Sequence, residues 1–248
     1  MKKYVVTASL LAGFSMISGT AFAQVGTVGV GVSHTDTDFG DSDSANINGG
    51  VAIQTGGNLT VLLDGTYNTN DDTDIDILTG TAHLISRDAN GAWGGFAGLG
   101  NVDGGGSDVD LYTVGGEYAA FFDTSTFVAT VAYANADDVD VSIWGLSGEY
   151  RMFLNDDLRV DVGGGYANID GGGADADAFQ VGAGVEYRFS GTPISIGANA
   201  SYIDTDGGGD ATVIGATLRF DFGNGSLKSR DRTGNTFGSF GGLQTFLQ

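Results

Sequence analysis

The residues able to do chemistry are few. The chain has two histidines, His34 and His83, and no cysteine. Without cysteine there are no thiolate nucleophiles, thiolate metal ligands or disulfides. A serine nucleophile would need a positioned base beside it. His83 has Ser86 nearby, but residues three apart on a strand point to opposite faces. His34 stands beside Ser33 and just before Asp36, a grouping too loose to define a site. No catalytic residues are expected, and the chain is not expected to be an enzyme.

Carboxylates are the second resource. Asp103, Asp108 and Asp110, then Asp170, Asp175 and Asp177, then Asp204, Asp206 and Asp210 lie in or beside glycine-rich stretches. Such oxygens suit calcium, yet the terminal glutamate of an EF-hand loop is missing. Solvated charge, or loose bridging by divalent ions, is the plainer expectation, so no metal or cofactor is expected. Nor do these glycines cradle phosphate, which would require a helix N-terminus behind them.

The elements positioning these residues follow from composition and pattern. Acidic side chains number 31 against 10 basic, a formal charge of −21, which argues against nucleic acid as a partner. At 41% hydrophobic residues the chain is too apolar for acidic disorder. Its 44 glycines follow no collagen-like period. Residues 1–23 read as a signal peptide. Lys2 and Lys3 precede a short apolar run, Val5 to Ile17, and Ala21-Phe22-Ala23 places small residues before a cleavage point at Gln24. That run is shorter than the ~20 residues a membrane-spanning helix needs.

From there the chain alternates with a period of two. Phe179, Val181, Ala183, Val185, Tyr187 and Phe189 are separated by Gln180, Gly182, Gly184, Glu186 and Arg188. A period of two is a strand with unlike faces. Twelve such runs are expected, near residues 25–34, 44–54, 59–69, 75–86, 92–101, 109–120, 126–135, 139–151, 158–168, 178–189, 194–203 and 212–222. Short connections such as 55–58, 87–91, 154–157 and 190–193 alternate with longer acidic ones at 35–43, 69–74, 102–108, 135–138, 169–177 and 204–211. Alternating loop lengths are the mark of an outer-membrane barrel, with short periplasmic turns and longer outer loops. Asn101, Asn135 and Asn168 open similar tripeptides 34 and 33 residues apart, one hairpin per repeat. Tyr67, Tyr112, Tyr118, Tyr133, Tyr150, Tyr166, Tyr187 and Tyr202 all fall on the apolar face. They form two bands near the strand ends, as suits two lipid headgroup zones.

The expected fold is therefore all-β: an antiparallel up-and-down transmembrane barrel over residues 24–222, with a periplasmic C-terminal tail at 223–248. Here the chain resembles the porin-like group of bacterial outer-membrane β-barrel proteins. Ala216, Leu218, Phe220 and Phe222 look like the last-strand signal that the barrel assembly machinery reads in that group. The resemblance implies the outer membrane of a Gram-negative bacterium, with lipid and lipopolysaccharide around the barrel. The family usually stops at this phenylalanine, whereas here 26 residues follow.

Near the periplasmic end the register turns His83, Glu117, Glu149, Arg151, Arg159, Glu186, Arg188, Arg219 and Asp221 inward. These are the expected pore-lining residues. Small inward residues in a barrel wider than eight strands leave space. The expected function is a porin-like channel for passive diffusion of small hydrophilic solutes or ions. Its acidic outer mouth would favour cations. The alternative is a non-conducting structural or surface-interaction barrel. The tail has two readings. It is a disordered periplasmic extension, or it folds back so that Lys228, Arg230 and Arg232 meet Glu117, Glu149 and Glu186.

Overall fold

The computed structural model describes residues 24–238, apart from residues 71, 105, 172–173 and 224. The expected signal peptide and the tail residues Phe240, Leu243, Phe246 and Leu247 lie outside them. Twelve strands follow one another: β1 (Gln24–Thr37), β2 (Gly40–Gly56), β3 (Leu59–Asn70), β4 (Ile75–Arg87), β5 (Gly91–Gly104), β6 (Ser107–Phe121), β7 (Ser125–Ala136), β8 (Val141–Asn155), β9 (Leu158–Gly171), β10 (Ala174–Arg188), β11 (Ile194–Thr205) and β12 (Gly209–Phe222). Each pairs antiparallel with its sequence neighbours, and β1 pairs with β12, so the sheet closes into a barrel. Closure satisfies the two edges that an open sheet would leave exposed.

The dyad pattern sorts side chains between two environments. Outward positions expose large apolar groups along most of the strands, among them Val32, Leu84, Leu99, Val131, Leu146, Val162, Val181, Ile196, Ile214 and Leu218. An apolar surface of this extent suits lipid rather than water. Aromatics bracket it. Trp93 stands opposite Tyr118 and Phe127 opposite Tyr150 near the end that holds both barrel termini. Tyr133, Trp144, Tyr166 and Phe179 form a continuous row toward the other end, with ring centroids 5.2 Å apart for Trp144–Tyr166 and 5.1 Å for Tyr166–Phe179.

The acidic connections differ from expectation. Strands continue through most of them, so only two to four residues separate consecutive strands at the far end. These connections are no longer than the turns at the terminal end. The polar ends of these hairpins lack unlike faces, so alternation cannot reveal them, yet their backbones pair. This places aspartates directly opposite one another: Asp36 and Asp41, Asp103 and Asp108, Asp170 and Asp175, Asp204 and Asp210. Opposed like charges weaken a strand pair. Among the described residues, no group of three or more carboxylate or histidine side chains is arranged to hold a metal ion.

Inside, two apolar clusters lie on the wall. One joins Phe96, Leu111, Ala132, Ala134, Ala136, Ile143 and Ala167. The other lies at the terminal end and joins Val25, Ala52, Leu62, Ile85, Ala92, Ala119 and Val128 with Phe237 of the tail. After β12 the chain turns into a short helix, α1 (Leu227–Thr233), whose N-cap Ser226 accepts a hydrogen bond from the Ser229 amide. A helix this short is not stable alone. Docking must hold it.

Phe96 sits tightly across the wall, its ring 5.5 Å from the His83 ring. A Cβ at Gly115 would lie 2.3 Å from Phe96 Cζ and 2.3 Å from the Val131 carbonyl oxygen. One of these neighbours is backbone and cannot yield cheaply. Gly115→Ala is therefore expected to destabilise the barrel by about 1–3 kcal/mol, read as a lower midpoint in thermal unfolding of the folded band on gels. An unchanged midpoint would show that the wall there relaxes freely.

Candidate functional site

The described part of the tail occupies the terminal end of the barrel's interior. Its contacts reach strands on every side. The Arg188 guanidinium donates to the Gly225 carbonyl at 2.6 Å and to Asp157 at 3.3 Å. Lys228 lies 3.9 Å from Asp156. Arg87 donates to the carbonyls of Arg232 and Gly234, at 2.5 and 3.3 Å, and to the Thr236 hydroxyl at 2.7 Å. Arg232 donates to the Phe122 carbonyl, and its guanidinium lies over the Phe121 ring. Asn235 contacts Thr27 and lies against the bare backbone of Gly50, where a Cβ would come within 2.4 Å of its amide nitrogen.

Two ion-pair groups fasten this segment. Arg230 donates to Glu186 at 2.5 Å and to Asp221 at 3.1 Å, all three side chains being buried. Glu186 also accepts from Ser195 at 2.6 Å and from Arg219 at 3.1 Å, and lies 3.5 Å from Arg159. Asp231 accepts from Arg151 at 2.6 Å and from the Thr126 hydroxyl at 2.6 Å. Arg151 reaches Glu149 at 2.6 Å on its other side. Removing one partner from such a buried pair leaves an uncompensated charge. The walls supply the apolar part: Leu62 and Ile85 are fully buried, and Phe237 covers the ring they belong to.

Above the segment lies a cavity of about 320 Å³ lined by Asn46, Asn48, Thr66, Asn68, Thr27 and Arg159, with Arg151, Arg219 and Arg230 at its floor. A second cavity of about 410 Å³ continues it toward the far mouth, sharing Asn68 and Ile77 and adding Thr35, Ser42, Ser44 and Asn70. Together they put hydroxyls and amides along β1–β4, with Asp41, Phe39, Ile75 and Ile77 among them toward the far mouth. Phe237 and Gly238 of the tail line the inner end of this polar track.

No family model matches the sequence, and neither does any curated protein. Solved structures do match in three dimensions. The translocator domain of the autotransporter NalP from Neisseria meningitidis superposes with a TM-score of 0.57 at 12% identity, covering 89% of this chain and 96% of that one. The KdgM porin in complex with disordered oligogalacturonate gives 0.54 at 11% identity, covering 78% and 99%. The β domain of the Bordetella autotransporter Brka gives 0.52 at 12% identity, covering 81% and 100%. The fold is that of outer-membrane β-barrels. At these identities the likeness extends to architecture alone.

All nine residues expected in the lumen sit at inward positions of the barrel, but they are not equivalent. Arg151, Arg159 and Arg219 reach the central cavity. Glu186, Arg188 and Asp221 are buried against the tail, and Glu149 pairs with Arg151. His83 and Glu117 are buried and pair with each other. His83 Nε2 lies 2.7 Å from Asp64 Oδ2, and its Nδ1 lies 3.0 Å from Glu117 Oε1. An imidazole donates from both nitrogens at once only when doubly protonated. Of the fold-back contacts expected for the tail, Arg230–Glu186 is present, whereas Lys228 and Arg232 meet Asp156 and the Phe122 carbonyl. Asp64, Arg87 and Asp231 were missed. A signal for each existed: Asp64 interrupts an apolar run on the inward parity, Arg87 shares His83's parity, and Asp231 is the tail's one acidic residue.

Glu186 offers the sharpest check. Glu186→Gln is expected to loosen the tail, so that trypsin cleaves after Arg230 at least about tenfold faster in the folded barrel, since cleavage tracks the opened population. Cleavage at the unaltered rate would mean that Glu186 does not hold the segment.

Proposed function

We propose that this chain is an outer-membrane channel for small hydrophilic solutes, closed at its periplasmic end by its own C-terminal segment, residues 225–238. The observation that carries the reading is the polar track. Amides and hydroxyls line one side of the interior along β1–β4, with arginines near the tail and Asp41, Phe39, Ile75 and Ile77 among them toward the far mouth, and a barrel that served only as a scaffold has no need of such a polar side. In this reading residues 1–23 direct export, both barrel termini and the tail lie in the periplasm, and the acidic hairpins face outward among lipopolysaccharide. Ala216, Leu218 and Phe220 pair with Val32, Val30 and Val28 across the β1–β12 seam, where the assembly machinery would engage the last strand. KdgM, a porin of this fold, is known in complex with disordered oligogalacturonate. That supports entry of hydrophilic molecules into such a barrel.

A preference for cations belongs to the same reading. Asp36, Asp41, Asp103, Asp108, Asp170 and Asp175 stand at the outer hairpins, concentrating counter-ions at the mouth. The arginines at the cavity floor pair with Glu149, Asp161, Glu186, Asp221 and Asp231, so they do not form a bare positive ring. The second reading is a non-conducting surface barrel, and the buried ion pairs of the tail favour it.

Truncation after Phe222 separates the two. In planar bilayers the truncated barrel is expected to conduct more than the full chain. Its reversal potential should be cation-selective at 0.1 M salt and weaken toward 1 M, as the screening length falls from about 10 Å to about 3 Å. A correctly folded truncated barrel that does not conduct would leave the non-conducting reading standing. Anion selectivity at low salt would remove the cation preference alone.

A further inference from the structure

We propose that the inner cavity is a binding site for an uncharged sugar of monosaccharide size, seated on a ladder of amides from β2 and β3. The inference deepens the channel reading by naming the solute, and it rests on that reading for the way in from the far mouth. The ladder is set by strand register. Ser44 stands opposite Asn70, Asn46 opposite Asn68 and Asn48 opposite Thr66, and all six line the two cavities. Asn48 donates to the Asn46 carbonyl at 3.1 Å, and Asn70 donates to the Ser44 hydroxyl at 3.3 Å. The neighbouring strand makes room for them. Gly29 faces Asn48 and Gly31 faces Asn46 across β1, and a Cβ on these glycines would lie 3.0 and 2.8 Å from the two amides. The amides thus extend over bare backbone, where a side chain on β1 would displace them.

The chemistry of the wall selects the ligand. A primary amide offers two N–H donors and one carbonyl acceptor, and each hydroxyl of a sugar both donates and accepts. Asn46, Asn48, Thr66 and Asn68 are half-buried, so part of each remains for a ligand. The Asn68 carbonyl oxygen is buried and has no hydrogen-bond partner among the described residues. A hydroxyl brought beside it would satisfy it. Arg159 and Arg219 stay 18% and 23% exposed at the cavity floor. A guanidinium only donates, so the floor suits hydroxyl oxygens.

Charge sets aside the ionic alternatives. The four guanidiniums on the cavity, of Arg151, Arg159, Arg219 and Arg230, are ion-paired with five carboxylates, Glu149, Asp161, Glu186, Asp221 and Asp231. A carboxylate or phosphate finds no excess of positive charge there, and an ammonium group would have to approach the guanidiniums. An uncharged polyol meets neither penalty. At about 320 Å³ the cavity stands at the small end of ligand sites, roughly 300–1,000 Å³, which suits one sugar ring rather than a chain. Asn235 of the tail also lines it, so the docked segment supplies part of the site.

The experiment is calorimetric titration of the mature full-length barrel in detergent with D-glucose and D-galactose, and with gluconate and glucosamine as anionic and cationic counterparts of similar size. At least one neutral sugar is expected to bind saturably, with gluconate and glucosamine about tenfold weaker or worse. Asn46→Ala combined with Asn48→Ala should weaken that sugar by about tenfold or more, the effect of two lost hydrogen bonds. Asn199→Ala removes an amide that lies beside Gly215, outside the ladder, and should leave the affinity unchanged. Asn48→Asp keeps the shape, serves if the double variant does not fold, and should move the ranking toward glucosamine, a change that a merely structural role would not produce.

No binding of either neutral sugar, equal affinity for gluconate, or unaltered affinity in the folded double variant would overturn the site. Binding that appears only when the chain is ended after Gly238 would also overturn it, since the chain's own end would then be the cavity's occupant. Titration needs no conduction, so the two readings fail separately. A full chain that binds no sugar while the barrel truncated after Phe222 conducts would leave the channel and remove the site. Sugar binding by a barrel that conducts in neither form would keep the site and remove the channel.

Discussion

Closure of the sheet at the β1–β12 seam is the constraint on which the rest depends. In hydrocarbon an unpaired backbone amide or carbonyl costs several kcal/mol, so a spanning sheet must have no edge. The seam runs unbroken from Gly26 opposite Phe222 to Thr37 opposite Ala211. Because side chains alternate with a period of two, a slip of one residue would turn the apolar face inward. The seam register thus decides which groups meet lipid and which meet one another inside.

The interior then poses its own problem. Twelve strands enclose more space than the wall's side chains can fill, and the terminal end of that space is lined by Leu62, Ile85, Ala92, Ala119 and Val128. Left facing water, such a ring would forfeit the burial that stabilises it, roughly 1.5–3 kcal/mol for each large side chain. Phe237 covers it. The charged groups at the same level are satisfied in a different way: Glu186 meets Arg230 and Arg219, and Asp231 meets Arg151. The apolar cluster and the buried ion pairs are closed by one piece of chain.

Much of this was legible in advance because lipid imposes a strict two-state environment. Phe179 to Phe189 alternates without a break, and its strand stands where the pattern placed it. The hairpin tips were illegible for the converse reason: at Asp36, Asp41, Asp103 and Asp108 both faces are polar, so no alternation survives although the backbone still pairs. Inward parity located Glu186, Arg219 and Asp221, but pairing depends on neighbours across strands and on the tail. Asp64 meets His83 on the adjacent strand, and Arg87 meets residues 145 to 149 positions later in the chain. Nothing local to Arg87 could announce such a partner.

The order of the chain carries a last consequence. The segment after Phe222 touches Thr27 on β1, Arg87 on β4, Thr126 on β7, Arg151 on β8, Glu186 on β10 and Asp221 on β12. Those six strands surround one space only after the first and last of them have joined. Docking of the tail is thus a chemical report that the cylinder is complete, available to no partially zipped intermediate. Until it occurs, the ring of Leu62 and Ile85 stays uncovered and recognisable as unfinished.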